Sequence, residues 1–252
     1  VFPFICAFTK HSLTSHLCSM VIALYIGFMQ AISTFCNAGF IFFDNNLPYK
    51  MVGDVLFNIN TIALIIIGGF GYLAAFDIWS HRKVRRFADL KLHTKLMLIG
   101  TTLLIVLGVI IFLGVEWANP KTLGPLPMWD KVMAAIFQSV TPRTAGIATV
   151  DYGQLHPITL FVSIILMFIG AGPNSTGGGV KISTVMVAIL ASCTLFNNRS
   201  DVEVFGRRIS MVTVLKANGI IFLSLLLVLL ATCYLAWDEP FDFIRLLFEV
   251  TS

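Results

Sequence analysis

The sequence predicts an all-α polytopic membrane protein of repeated helix–pore-loop–helix units, with one helix broken by an intramembrane loop. Three observations predict it. Of the 252 residues, 57% are hydrophobic and 12% charged, with 22 Phe; a soluble globular domain carries about 25% charged residues, so the solvent of this chain is largely lipid. Several apolar runs reach the length of about 20 residues that crosses a bilayer. Two shorter apolar runs each end in a glycine-containing polar loop, and these two resemble each other.

The runs at 55–79, 96–117 and 212–237 are long enough to span, each with an aromatic residue at or near an end. The stretch 155–196 is long enough to cross twice, but Gly170-Ala171-Gly172-Pro173-Asn174-Ser175-Thr176-Gly177-Gly178-Gly179 interrupts it. The flanking loops require one net crossing there, so it reads as one broken helix. Ten of the 17 Lys and Arg residues fall in two gaps: Arg82, Lys83, Arg85, Arg86, Lys91 and Lys95, then Arg199, Arg207, Arg208 and Lys216. Loops rich in Lys and Arg stay in the cytoplasm, which leaves Asn45 and Asn119 outside. A net charge of +4 distributed this way is a topology signal, and nucleic acid is not an expected partner. No signal peptide is expected, because Val1 is not an initiator Met and no cleavage-like site follows a short apolar stretch.

The segments 21–33 and 129–140 are too short to span, and apolar segments of roughly 10–14 residues suggest re-entrant or buried helices. The first runs into Thr34-Phe35-Cys36-Asn37-Ala38-Gly39-Phe40, the second into Thr141-Pro142-Arg143-Thr144-Ala145-Gly146-Ile147. Gln30-Ala31-Ile32-Ser33 matches Gln138-Ser139-Val140-Thr141. After one residue of slippage Asn37-Ala38-Gly39-Phe40 matches Thr144-Ala145-Gly146-Ile147, and Asp44 and Asp151 follow at the same offset. Phe248-Glu249-Val250-Thr251-Ser252 resembles Phe137-Gln138-Ser139-Val140-Thr141 beginning again. The unit therefore repeats about every 110 residues, and repeats in a membrane protein point to a site on a symmetry axis. Non-helical backbone is tolerated at membrane depth only where it is buried in protein or lines a watery cavity. A glycine loop can turn carbonyls toward an axis without a Cβ clash, and rings of carbonyls replace the water shell of a cation. The bland alternative, that Gly39 and Gly146 merely end buried helices, is weakened by their occurring as a pair.

Other residues are read more plainly. Gly68-Gly69-Phe70-Gly71-Tyr72 lies inside a long apolar run and is expected to serve close helix packing. The run 172–181 is no phosphate-binding loop, because G-x-x-x-x-G-K-[ST] needs Lys directly after the second Gly, and Gly178 follows Gly177. Lys181 either places a cation near the pathway or snorkels to the cytoplasmic interface. Arg143, just before a glycine loop, is expected to brace that loop. Asn58 and Asn60 are expected as polar glue between helices. Cys6, Cys18, Cys36, Cys193 and Cys233 are scattered without metal-ligand spacing. The five His (His11, His16, His81, His93, His156) lie in loops or near segment ends, so the alternatives of an intramembrane enzyme or a purely structural subunit start behind cation conduction.

The stretches S-T-F-C-N-A-G-F at 33–40, F-Q-S-V-T-P-R-T-A-G-I at 137–147 and M-F-I-G-A-G-P-N-S-T-G-G-G-V-K at 167–181, with H-T-K-L-M-L at 93–98 and N-P-K-T-L-G at 119–124, resemble the Trk/Ktr/HKT superfamily of potassium and sodium transporters, particularly the membrane subunit of bacterial Ktr systems. The resemblance implies four repeats around a pseudo-fourfold pore. Here the fold is incomplete: a second repeat with a truncated first helix (1–80), a cytoplasmic basic loop (81–95), a third repeat with an intramembrane gating loop (96–198), a cytoplasmic loop (199–211), and a fourth repeat that stops in its pore helix (212–252). It implies ion sites on the backbone of Asn37, Ala38, Gly39 and Phe40, and of Thr144, Ala145, Gly146 and Ile147, with Arg143 as support. It assigns the gate to Gly170, Gly172, Ser175, Thr176, Gly177, Gly178, Gly179 and Lys181. Potassium, with sodium as the second candidate, is the implied cargo, with no bound cofactor, in a multi-pass protein of the bacterial inner membrane. A homodimer and a cytosolic ring of nucleotide-binding regulatory subunits are the implied partners.

Overall fold

The computed structural model describes residues 13–42, 51–81, 87–197 and 202–252. Cys6, His11, Asp44, Asn45, Arg82, Lys83, Arg85, Arg86 and Arg199 lie outside these residues. What is described is helical apart from one small hairpin and one isolated bridge.

Helix α1 (Leu13–Phe35) is 23 residues long, longer than the dozen apolar residues expected. No Gly or Pro stands before Gly27 within it, so nothing in the chain stops the helix from starting ahead of its apolar part. Helices α2 (Val55–Phe70) and α3 (Tyr72–Ser80) correct the expectation of one straight span over 55–79: they meet at a 95° bend. Gly71 sits at the corner with φ 87° and ψ 135°, a conformation open only to residues without a Cβ. Gly71 therefore marks a break, while Gly68 and Gly69 keep the packing role expected of them: a Cβ on Gly68 would overlap the Phe35 carbonyl oxygen.

Helix α4 (Leu92–Glu116, 25 residues) and α8 (Met211–Asp238, 28 residues) are each long and apolar enough to cross a membrane, and the bent α2–α3 pair makes a third candidate. The short re-entrant helix appears as α5 (Met128–Val140). The stretch 155–196 divides into α6 (Pro157–Phe168) and α7 (Ile182–Phe196) around the glycine-rich loop, and α9 (Phe243–Thr251) begins the next short helix. The loop 199–211 contains a hairpin of β1 (Val202–Val204) and β2 (Arg207–Ile209), paired antiparallel. Its two central residues, Phe205 and Gly206, both have positive φ, which matches hairpin twist.

Helix α4 is the central post, touching α3, α5, α6 and α7. Both of its ends are tied by buried carboxylates. At the basic-loop end, Asp77 accepts from the Lys91 backbone N–H (3.0 Å) and the Thr94 hydroxyl (2.6 Å). At the other end, Glu116 is fully buried and accepts four hydrogen bonds: from Asn119 Nδ2, Thr122 Oγ1, the His156 backbone N–H and Thr159 Oγ1, at 2.6–2.8 Å. A buried charge is tolerated when hydrogen bonds satisfy its oxygens; the bonds from His156 and Thr159 fasten the end of α4 to the start of α6, and those from Asn119 and Thr122 hold the loop that follows α4. Outside this frame α8 buries only Val214, Ala217 and Thr232 and exposes a run of leucines. That suits a helix bathed in acyl chains.

Candidate functional site

The two glycine loops are the same device built twice. In the first, positive φ occurs at Asn37 (50°) and Gly39 (74°); in the second, at Thr144 (67°) and Gly146 (71°). A hydroxyl near the end of each helix reaches across its loop: Ser33 Oγ donates to the Phe40 carbonyl at 2.8 Å, and Thr141 Oγ1 donates to the Ile147 carbonyl. Buried glutamines brace the return strands at matching positions, Gln30 Oε1 accepting from the Phe42 N–H and Gln138 Nε2 donating to the Val150 carbonyl. Each hydroxyl and each amide replaces a partner that the non-helical backbone would otherwise lack inside the protein. Thr144 is β-branched and in the left-handed region, which costs about 1–3 kcal/mol and persists only where surroundings over-determine the backbone.

The loops meet. A Cβ on Gly146 would stand 2.6 Å from Gly39 Cα, so the backbones approach as closely as two glycines permit. Around this contact opens a cavity of about 400 Å³, lined by Asn37, Gly39, Thr144 and Gly146 together with Thr251 and Ser252. Thus the end of α9, which resembles the start of another short helix, faces the same space. Phe248 of α9 packs on Tyr152 with ring centroids 5.0 Å apart.

Arg143 is buried, and its Nη2 donates to the Thr101 carbonyl of α4 at 2.9 Å. It anchors the second loop to the central post through a carbonyl. Asn58 is not glue between helices: its Nδ2 donates to the carbonyls of Met51, Val52 and Asp54 and holds the entry to α2.

The glycine-rich loop 169–181 is an ordered hairpin-like turn. Its ends are tied by a parallel bridge between Ile169 and Val180, by Gly170 N–H to the Val180 carbonyl (3.1 Å), and by Ala171 N–H to the Gly178 carbonyl (3.2 Å). Lys181 turns back on the loop, Nζ donating to the Gly177 carbonyl at 2.7 Å, which keeps its ammonium against the glycine-rich loop. The loop also docks into the corner at Gly71. Gly172 N–H donates to the Gly69 carbonyl (2.8 Å), Thr176 N–H to the Gly68 carbonyl (3.2 Å), and Tyr72 N–H to the Asn174 carbonyl (3.1 Å). The helix break in α2–α3 thus frees the very backbone groups that receive the loop. Ser175 Oγ donates to the Gly172 carbonyl within the turn.

Sequence reasoning missed three participants: the Gly68–Gly71 corner, Asp77 and Glu116. The corner's glycines read as packing inside one straight span. The two acids had an indirect signal, because H-T-K-L-M-L holds Thr94, which bonds Asp77, and N-P-K-T-L-G holds Asn119 and Thr122, which bond Glu116.

The chain was compared with known proteins. The family described as "TrkH: Cation transport protein" matches residues 1–252. The Ktr system potassium uptake protein B of Bacillus subtilis (strain 168) is 38% identical over 229 residues, 91% of this chain and 51% of the relative. The protein of the same name from Vibrio alginolyticus is 38% identical over 229 residues, 91% of this chain and 50% of that protein. The potassium/sodium uptake protein NtpJ of Enterococcus hirae is 34% identical over 216 residues, 86% of this chain and 47% of that protein. The chain therefore spans about half the length of the curated relatives it matches. The crystal structure of the potassium transporter TrkH from Vibrio parahaemolyticus superposes with a TM-score of 0.66 at 17% identity, covering 90% of this chain and 52% of that one. The polytopic helical fold is therefore shared, as the sequence predicted. With two like loops meeting at one cavity, a broken helix docked beside them, and a family match from the first residue to the last, this chain belongs to the TrkH family of cation transport proteins.

Proposed function

We propose that this chain supplies two pore loops of a monovalent-cation pathway, with potassium as the principal cargo and sodium as a second or coupled ion. Asn37–Phe40 and Thr144–Ile147 contribute backbone carbonyls to the selectivity filter, with Arg143 as its brace. The loop holding Gly170, Gly172, Ser175, Thr176, Gly177, Gly178, Gly179 and Lys181 is the gate. The single observation that carries this reading is the doubled loop: the same alternation of left-handed residues, with the same hydroxyl closing it, on two segments that face one cavity. Carbonyls held that way can stand in for the hydration shell of a small cation. The names of the relatives, potassium uptake proteins and a potassium/sodium uptake protein, agree with that chemistry.

In this reading residues 1–80 are the second repeat, 81–95 and 199–211 are cytoplasmic, 96–198 are the third repeat, and 212–252 open the fourth. The intact protein works in the bacterial inner membrane as a homodimer over a cytosolic ring of nucleotide-binding regulatory subunits. Support for a multi-component system comes from the relatives named as protein B of a Ktr system. The test is potassium flux from the intact protein reconstituted in liposomes, with and without residues 172–179. Uptake that is absent in both, from correctly folded protein, would remove conduction and leave a structural role.

A further inference from the structure

The two filter-loop residues that adopt the left-handed conformation without being glycine, Asn37 and Thr144, are also the two whose side chains hold the glycine-rich loop. Asn37 Nδ2 donates to Thr176 Oγ1 at 3.0 Å, and the same hydroxyl donates to the Phe35 carbonyl at 3.0 Å. Thr144 Oγ1 accepts from the Gly178 backbone N–H at 3.4 Å. These positions correspond in the internal repeat, each standing two residues before its loop glycine. The Asn37 amide also lies against the Gly68–Gly71 corner: a Cβ on Gly69 would be 3.6 Å from its Nδ2, and a Cβ on Gly68 would be 3.1 Å from Thr176 Oγ1. Asn37 is almost fully buried with the loop in place.

We infer that Asn37 and Thr144 form a two-point latch that positions the gating loop beneath the filter and sets its open–closed equilibrium, Asn37 through Thr176 and Thr144 through the Gly178 N–H. This rests on the filter and gate assignment proposed above. The latch bonds exist only while the loop lies against the filter, so they stabilise the closed arrangement and are lost when the loop moves away. An interaction made in one state and not in the other shifts the equilibrium by its own free energy. A hydrogen bond of this kind is worth a factor of about 2 to 10 in an equilibrium constant. The reverse also holds: because the latch residues belong to the filter loops, whatever rearranges those loops biases the gate by the same factor. The carbonyls that face ions are not part of the latch, so ion preference stays with the filter. Asn37 and Thr144 are positioning residues.

The experiment is potassium and sodium flux through the intact protein in liposomes, for Thr176→Val, Thr176→Ser, Asn37→Gly and the Asn37→Gly/Thr176→Val double variant. Valine keeps the shape of threonine without its hydroxyl, and glycine tolerates the left-handed conformation at 37. Expected is a rise in potassium flux of about 2- to 10-fold for Thr176→Val and for Asn37→Gly. Thr176→Ser, which keeps the hydroxyl, should rise less than Thr176→Val, and the double variant should rise no further than the single ones. Equal behaviour of Val and Ser at 176, or single effects that multiply in the double variant, overturns the latch. Gly146→Ser and removal of 172–179 are read in the same preparation. If the first leaves preference and the second leaves flux unchanged, the filter and gate assignment itself has failed. If both respond and Thr176→Val does not, only the latch has failed. Thermal melting of each variant separates lost folding from altered gating, and the Ser variant keeps the test decisive if Val unfolds.

Discussion

Replacing Gly146 with Ser should reduce potassium preference more than the same change at Gly39, and the geometry says why. Both glycines sit in the left-handed region, where a Cβ costs about 1–2 kcal/mol. At Gly39 the new Cβ would find Gly146 Cα at 3.6 Å, an ordinary contact, so the conformational cost stands alone. At Gly146 the new Cβ would lie 2.6 Å from Gly39 Cα, closer than two carbons can stand. The neighbour is backbone and cannot swing aside, so overpacking adds about 1–3 kcal/mol. The summed strain of about 2–5 kcal/mol is relieved only by separating the two loops, which spreads the carbonyls and favours looser coordination. Potassium and sodium flux through the intact protein, reconstituted and checked for correct folding, measures the effect. A preference unchanged in Gly146→Ser, or a larger loss in Gly39→Ser, would refute the reasoning.

Three more expectations follow from the same coordinates. Glu116→Gln keeps one acceptor oxygen but turns an NH₂ group toward Asn119 Nδ2 and Thr122 Oγ1; stability should fall by about 2–4 kcal/mol, read as a lower melting temperature in detergent with ion preference intact. A single cysteine at Lys91 or Arg207 should react with impermeant reagent only from the cytoplasmic side and one at Lys121 only from outside, since Lys and Arg bias sets orientation; the opposite pattern would overturn the topology. Gly71→Ala should impair folding or transport, because its Cβ would both occupy the left-handed side of φ and overlap the Pro173 carbonyl oxygen; normal expression and flux would show that the corner is adaptable.

The two matching glycine loops were legible because their signal is local: a short apolar run, a hydroxyl, then a glycine, written twice. The broken helix was legible for a similar reason, ten residues of which half are glycine. The bend at Gly71 was not, because hydropathy reports composition and takes no account of direction. A run that turns through 95° looks as apolar as one that crosses straight. Glu116 stayed hidden because a single acid beside Trp117 reads as an interface residue, and its four donors come from two stretches of chain, 119–122 and 156–159. The hairpin had a fair signal in the alternation of Val202, Glu203 and Val204 before Phe205-Gly206, obscured by its position among basic residues that speak mainly about topology.

The glycines of the 169–181 loop carry a different meaning once the packing is known. Read from sequence, they suggest a pliant plug with a shallow energy surface. In the fold, a Cβ on Gly170 would overlap the Gly178 carbonyl oxygen, and one on Gly172 would lie 2.8 Å from the Phe70 carbonyl oxygen. Their role is close approach, and the loop is as tightly hydrogen-bonded as a small sheet. Its bonds to the surroundings run to Gly68, Gly69 and Tyr72 at the corner and to Phe35, Asn37 and Thr144 at the two glycine loops. The corner continues into α3, where Asp77 is hydrogen-bonded to the start of α4 at Lys91 and Thr94. The basic-loop end of α4 is thus joined to the glycine-rich loop through α3 and its glycine corner by hydrogen bonds and the chain itself.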